Sequence, residues 1–109
     1  MCVCVCVCVR VRVEPGYYQD GEFGIRIENL VVVCPEQTPH RFMNKAFMGF
    51  DTITLVPIQR SLMLLPLLSD SQLKWINDYH QRCREKVAPL LQGRAKEWIM
   101  RETEPILRS

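Results

Sequence analysis

The sequence predicts an α+β fold in which antiparallel strands come first and two helices follow, and three observations carry that reading. Runs of β-branched and aromatic residues fill the first half of the 109-residue chain. The turn-rich Gln19-Asp20-Gly21-Glu22 separates two of those runs, and from Ser69 onward apolar residues recur at helical spacing. The length suits a single small domain with one core.

The chain opens with a low-complexity segment, Met1 to Val13, in which Cys or Arg alternates with Val. By pattern this is one strand. The genetic code offers a second account: TGT and GTG encode Cys and Val, so an alternating TG tract yields a Cys-Val repeat, and one T-to-C change turns TGT into the Arg codon CGT. Residues 1–13 are therefore read as a gene-model artefact, a translated microsatellite standing where a genuine strand would lead into Glu14. A metal cage or disulfide framework is a poor fit. Thiols at every second strand position stand about 6.6–6.8 Å apart along one line, unlike the paired loops that wrap zinc, and are badly oriented for bridging. Cys34 and Cys83 read as isolated core thiols. The apolar run from Cys2 to Val9 lacks a basic segment before it, a cleavage site after it and the length to span a bilayer. A soluble, cytoplasmic chain with reduced thiols is expected.

Glu14-Pro15-Gly16-Tyr17-Tyr18 follows, and beyond the turn comes Gly24-Ile25-Arg26-Ile27-Glu28. Each glutamate is expected on a strand, and the turn folds the second strand back toward the first, so both carboxylates can reach one cation. Carboxylates suit a hard divalent ion, and a bridging pair suits a site that activates water. Two glutamates on adjacent strands are more often a solvated face, so spacing alone does not decide. Gly16 and Gly21 are expected in turns with positive φ, and Pro15 stiffens the exit from the first strand. Arg26 shares a strand face with Glu28 and can pair with an acid there.

Val31 to Val33 extend the Glu28 strand as an all-apolar run, the pattern of a strand buried on both faces, and Pro35 is expected to end it. Residues 39–45 read as a polar loop with His40 in solvent. Ile53, Leu55 and Pro57 alternate with Thr52, Thr54 and Val56, which predicts a further short strand. Residues 61–68 form a hydrophobic linker that Pro66 keeps from becoming a helix. Ser69 with Gln72 is a capping box, opening an amphipathic helix with Leu73, Ile76, His80, Cys83, Val87 and Leu91 on one face. Tyr79 and His80 read as packing residues. Pro89 should kink or restart the helix, and Gly93 suits a C-terminal cap. Arg94 to Thr103 should form a second helix with Ala95, Trp98 and Ile99 inward.

The words around the two glutamates resemble the C-terminal metal-binding strands of the pita-bread metallopeptidases, which include prolidase and the Xaa-Pro aminopeptidases. The resemblance continues through Phe50-Asp51-Thr52-Ile53-Thr54-Leu55-Val56-Pro57-Ile58-Gln59, Trp75-Ile76-Asn77-Asp78-Tyr79-His80 and Trp98-Ile99-Met100-Arg101-Glu102-Thr103, which look like the C-terminal extension of the eukaryotic cytosolic-type Xaa-Pro aminopeptidases. It covers residues 14–109 and implies a chain that is the C-terminal part of a pita-bread fold. Residues 14–59 would be the last strands of the catalytic domain and residues 60–109 the helical extension. It also implies an active site of two metal ions, usually manganese, held by two aspartates, a histidine and two glutamates. Glu14 would ligate one metal, Glu28 would bridge both, and Tyr18 and Arg26 would hold the ligands in place. The aspartates and the histidine belong upstream, so this chain carries two of the five ligands.

The function expected is hydrolysis of the N-terminal residue from peptides with proline second, by metal-activated water, with the chain inactive alone. The alternative is a non-catalytic module that dimerises or associates with a full-length relative through exposed apolar strand residues. Basic and acidic residues are interspersed and the formal net charge is only +2, so neither a nucleic acid nor a membrane surface is an expected partner.

Overall fold

The computed structural model describes residues 9–43 and 45–108, and most of the Cys-Val repeat lies outside them. Its elements are β1 (Arg10–Val13), β2 (Gly16–Gln19), β3 (Phe23–Arg26), β4 (Asn29–Glu36) and β5 (Phe47–Thr52), then α1 (Asp70–Val87) and α2 (Gly93–Glu102). The α+β order of antiparallel strands before two helices is therefore present. The chain divides into two compact units, residues 1–54 and 55–109.

In the first unit β4 is the centre of an antiparallel sheet, flanked by β1 and β5, while β2 and β3 pair as a separate hairpin. Gly21 turns that hairpin at φ 73, a conformation that glycine adopts without Cβ strain, and the Glu22 amide closes the turn on the Gln19 carbonyl at 3.1 Å. The apolar run of β4 packs less deeply than its composition suggests. Val31 is buried, whereas Val32 and Val33 are half-buried.

Three strand expectations need correction. Pro35 does not end β4, which runs to Glu36 with Pro35 opposite Met48. The strand expected at residues 52–57 lies earlier, as β5, because Phe47 to Thr52 finds the edge of β4. The ladder does continue briefly beyond it, through the Ile53 amide to the Leu30 carbonyl at 2.9 Å and the Leu30 amide to Thr54 Oγ1 at 2.8 Å. Gly16 is a strand residue and has no positive φ; among the described glycines only Gly21 and Gly93 do.

The second unit is built on α1. Ser69 accepts the Gln72 amide at 3.2 Å while the Gln72 side chain accepts the Ser69 amide at 2.8 Å, so the capping box forms in full. Ile76, Tyr79, His80 and Cys83 are the buried stripe of α1, and Ile99 is the buried residue of α2. Ala88, Thr103 and Ile106 complete the core. Trp98 and Ala95 are exposed, so only part of the inward face expected of α2 is buried. Pro89 sits in a single 3-10 turn, Ala88–Leu90, which separates the helices. Gly93 opens α2 at φ 52 and does not cap a C-terminus, because the chain leaves the Pro89 turn extended and must reverse sharply into α2.

Three tethers organise this unit. The Tyr79 hydroxyl donates to the Val56 carbonyl at 2.9 Å and accepts its amide at 3.3 Å, and His80 Nε2 accepts the Ile58 amide at 3.1 Å. Asn77 pairs with both backbone groups of Ile106, at 3.0 and 2.9 Å. Arg84 holds Thr103 Oγ1 and the Met100 carbonyl, at 3.0 and 2.8 Å. Tyr79 and His80 are thus structural residues, as their place on the apolar face suggested. No helix among the described residues is long and apolar enough to cross a membrane.

Candidate metal centre

The two glutamates meet because two ladders run in one register. Val13 of β1 faces Asn29 of β4, and Gly16 of β2 faces Arg26 of β3. Either ladder, continued to the residues between, sets Glu14 opposite Glu28. The sequence placed both on strands. Each instead lies in the short break between two strands, because Pro15 has no N–H with which to continue the ladder. One bond survives in the break, from the Ile27 amide to the Pro15 carbonyl at 3.0 Å, and keeps the two chains together there.

Strand alternation then puts Glu14, Gly16 and Tyr18 on one face together with their partners Glu28, Arg26 and Gly24. Arg26 sits between the carboxylates. Its guanidinium lies 3.6 Å from Glu14 Oε2 and 3.5 Å from Glu28 Oε2, and Arg12 approaches Glu14 from the other side at 3.8 Å. These contacts are longer than the roughly 2.7–2.9 Å of a tight charge-assisted hydrogen bond. The side chains are also about a third to half exposed, which limits what the pairs add to stability. Their information is geometric, since two carboxylate oxygens converge on a single cationic group.

The donor set fits a hard divalent cation as far as it goes: it offers oxygen only, with both carboxylates on one face. It is incomplete by itself. Among the described residues no group of three or more His, Cys, Asp or Glu is arranged to hold a metal. His40 is exposed and His80 is committed to Ile58, so neither histidine adds a ligand. Sequence reasoning named Glu14, Tyr18, Arg26 and Glu28 and missed the closeness of two strand glycines to Tyr18, whose ring atoms a Cβ added at Gly16 or Gly24 would meet within 3 Å. The signal available was a pair of glycines inside strands, where glycine has no conformational reason to be. Elsewhere, an open cleft of about 510 Å³ beside α1 is lined by Asn77, Arg84 and Thr103, whose polar groups already serve the tethers described above.

Comparison with known proteins shows the family. The family described as the C-terminal region of peptidase M24 matches residues 46–106, and the chain belongs to that family. Over 95 residues it is 52% identical to a probable Xaa-Pro aminopeptidase P of Coprinopsis cinerea and 50% identical to one of Arthroderma benhamiae, with 85% of this chain covered in each case. The chain spans only about 15% of the length of these relatives. Among solved structures, the X-prolyl aminopeptidase of Caenorhabditis elegans, described as a cytosolic enzyme with a di-nuclear active site, superposes with a TM-score of 0.77 at 34% identity. That match covers 89% of this chain and 16% of the other. The fold is accordingly the C-terminal part of a pita-bread fold.

Proposed function

We propose that this chain is the C-terminal part of a cytoplasmic, manganese-dependent Xaa-Pro aminopeptidase, and that it contributes Glu14 and Glu28 to a two-metal site. The observation that carries the reading is the convergence of both carboxylates on Arg26, at 3.6 and 3.5 Å, at the base of a hairpin. A bound metal pair would supply Lewis acidity that activates water for attack on the peptide bond preceding proline. Glu28, facing Glu14 across the break, is the candidate bridge. Arg26 offsets the like charge of the two carboxylates and keeps them turned to one side. Tyr18, on the same face, is placed to steady a ligand or the substrate. Residues 14–59 then close the catalytic domain, and residues 60–109 form the helical extension.

Two carboxylates cannot by themselves set the coordination that makes water acidic, so the remaining ligands must come from elsewhere in the protein. The test is aminopeptidase activity toward a peptide with proline second, with manganese, in the whole protein and its Glu28→Gln variant. Near-complete loss in the variant is expected. Equal activity would reject the assignment.

A second reading is a non-catalytic module that binds a full-length relative or a second copy. Its support is the exposure of the hairpin's apolar side chains, Tyr17 at 58%, Phe23 at 56% and Ile25 at 41%. A two-stranded hairpin is marginal without cover. The catalytic reading supplies that cover from the same protein and also accounts for Glu14, Arg26 and Glu28, which the interaction reading leaves without a role.

A further inference from the structure

We propose that Gly16 and Gly24 are positioning residues for the metal centre, a bare floor on which the ring of Tyr18 lies flat with its hydroxyl directed toward the Glu14, Arg26 and Glu28 cluster. The inference rests on the metal-site reading given above for its purpose, though not for its geometry. Gly24 stands directly opposite Tyr18, and Gly16 lies two residues from Tyr18 on the same face, one step closer to Glu14. A Cβ added at Gly24 would come within 2.7 Å of Tyr18 Cδ1, and one at Gly16 within 2.8 Å of both Cε2 and the hydroxyl oxygen. The ring therefore starts over Gly24 and ends over Gly16, beside Arg26. It points along the strand toward the carboxylates.

Backbone conformation does not explain these glycines. Neither has a positive φ, and both sit inside strands, where glycine weakens the element and any other residue would adopt the same backbone. Gly21, with φ 73 and nothing within 4 Å of a built Cβ, shows the opposite case in the same hairpin. What Gly16 and Gly24 share is the ring. Side chains at either position would lift it off the sheet and swing the hydroxyl away from the cluster.

The test uses isotope-labelled full chain and NMR. Without metal, the Tyr18 ring protons should show Overhauser contacts to the α protons of Gly16 and Gly24, and Gly16→Ala should abolish the contact to Gly24. Absence of both contacts in the unmodified chain, or a Gly24 contact unchanged in Gly16→Ala, overturns the proposal. With Mn²⁺ as probe, the Tyr18 ring should broaden more than the Tyr17 ring, and Gly16→Ala should remove that difference while the Glu14 and Glu28 carboxylate signals stay broadened. A difference that survives Gly16→Ala overturns the positioning role. Where neither glutamate broadens, because this chain carries only part of the ligand set, the Overhauser contacts alone decide the floor. Should Gly16→Ala fail to fold, Gly16→Ala combined with Tyr18→Ala is expected to restore folding, and its failure to do so overturns the steric argument.

Discussion

Glu14 and Glu28, fourteen residues apart in sequence, share the guanidinium of Arg26 at 3.6 and 3.5 Å across the base of the β2–β3 hairpin. One guanidinium thus lies between two carboxylates of like charge. Arg26→Ala in the whole protein should leave two like charges facing each other and loosen their geometry. A loss of about 10–100-fold in metal affinity is expected, the usual effect of removing a residue that orients ligands, measured by metal competition titration. Unchanged affinity would show that Arg26 is an ordinary surface ion pair.

The isolated chain should hydrolyse no Xaa-Pro peptide with manganese added, because its described residues hold no group of three ligands. A fluorogenic assay on protein freed of host aminopeptidases checks this. Turnover lost in Glu28→Gln would contradict the expectation. When the upstream catalytic sequence replaces residues 1–12, manganese-dependent activity should appear, and Glu28→Gln should nearly abolish it.

His80 makes the helical unit acid-sensitive. Its side chain is fully buried, Nε2 accepts the Ile58 amide, and Nδ1 has no partner. Burial is the main cause that pushes its pKa below 6.5; Arg60 acts in the same direction and Glu102 opposes. The unfolded chain therefore takes up the proton as pH falls through 6.5, whereas the folded chain resists until lower pH. The stability of this unit is complete above 6.5 and declines below it until the folded imidazole also protonates. Both tryptophans, Trp75 and Trp98, lie in this unit, so their fluorescence during thermal unfolding reads it directly. His80→Phe should lower stability at neutral pH and flatten the slope between about pH 7 and pH 5. A slope as steep as before would assign the effect to another group.

Two substitutions separate capping from packing in the same unit. Ser69→Ala removes the acceptor for the Gln72 amide and should cost about 1 kcal/mol. Ile99→Ala empties a site only 1% exposed and should cost about 2–5 kcal/mol. Urea unfolding followed by tryptophan fluorescence gives both values, and a reversed order would contradict the core assigned here.

Local chemistry explains what the sequence revealed and what it hid. The Ser69 and Gln72 box, the turn at Gly21 and the buried stripe Ile76, His80 and Cys83 depend on neighbours within a few residues, so pattern alone exposes them. The pairing of Glu14 with Glu28 was legible for the same reason, since a short hairpin joins them. Strand limits were not. Where β4 stops and where β5 begins depends on which edge is free to pair, so Pro35 could remain in a strand and the stretch after Thr52 could leave it. Gly93 misled because glycine serves a sharp entry into a helix as well as an exit. The closeness of Tyr18 to Gly16 and Gly24 needs atomic coordinates, since glycine inside a strand signals a close approach without saying which side chain approaches.

The central claim is that Glu14 and Glu28 are metal ligands, and anomalous scattering from manganese-soaked crystals of the whole protein tests it most directly. Two peaks are predicted, both touched by Glu28 and one also by Glu14, with oxygens at about 2.0–2.6 Å, the range of hard divalent cations. Manganese bound elsewhere, or peaks that neither carboxylate reaches, would contradict it.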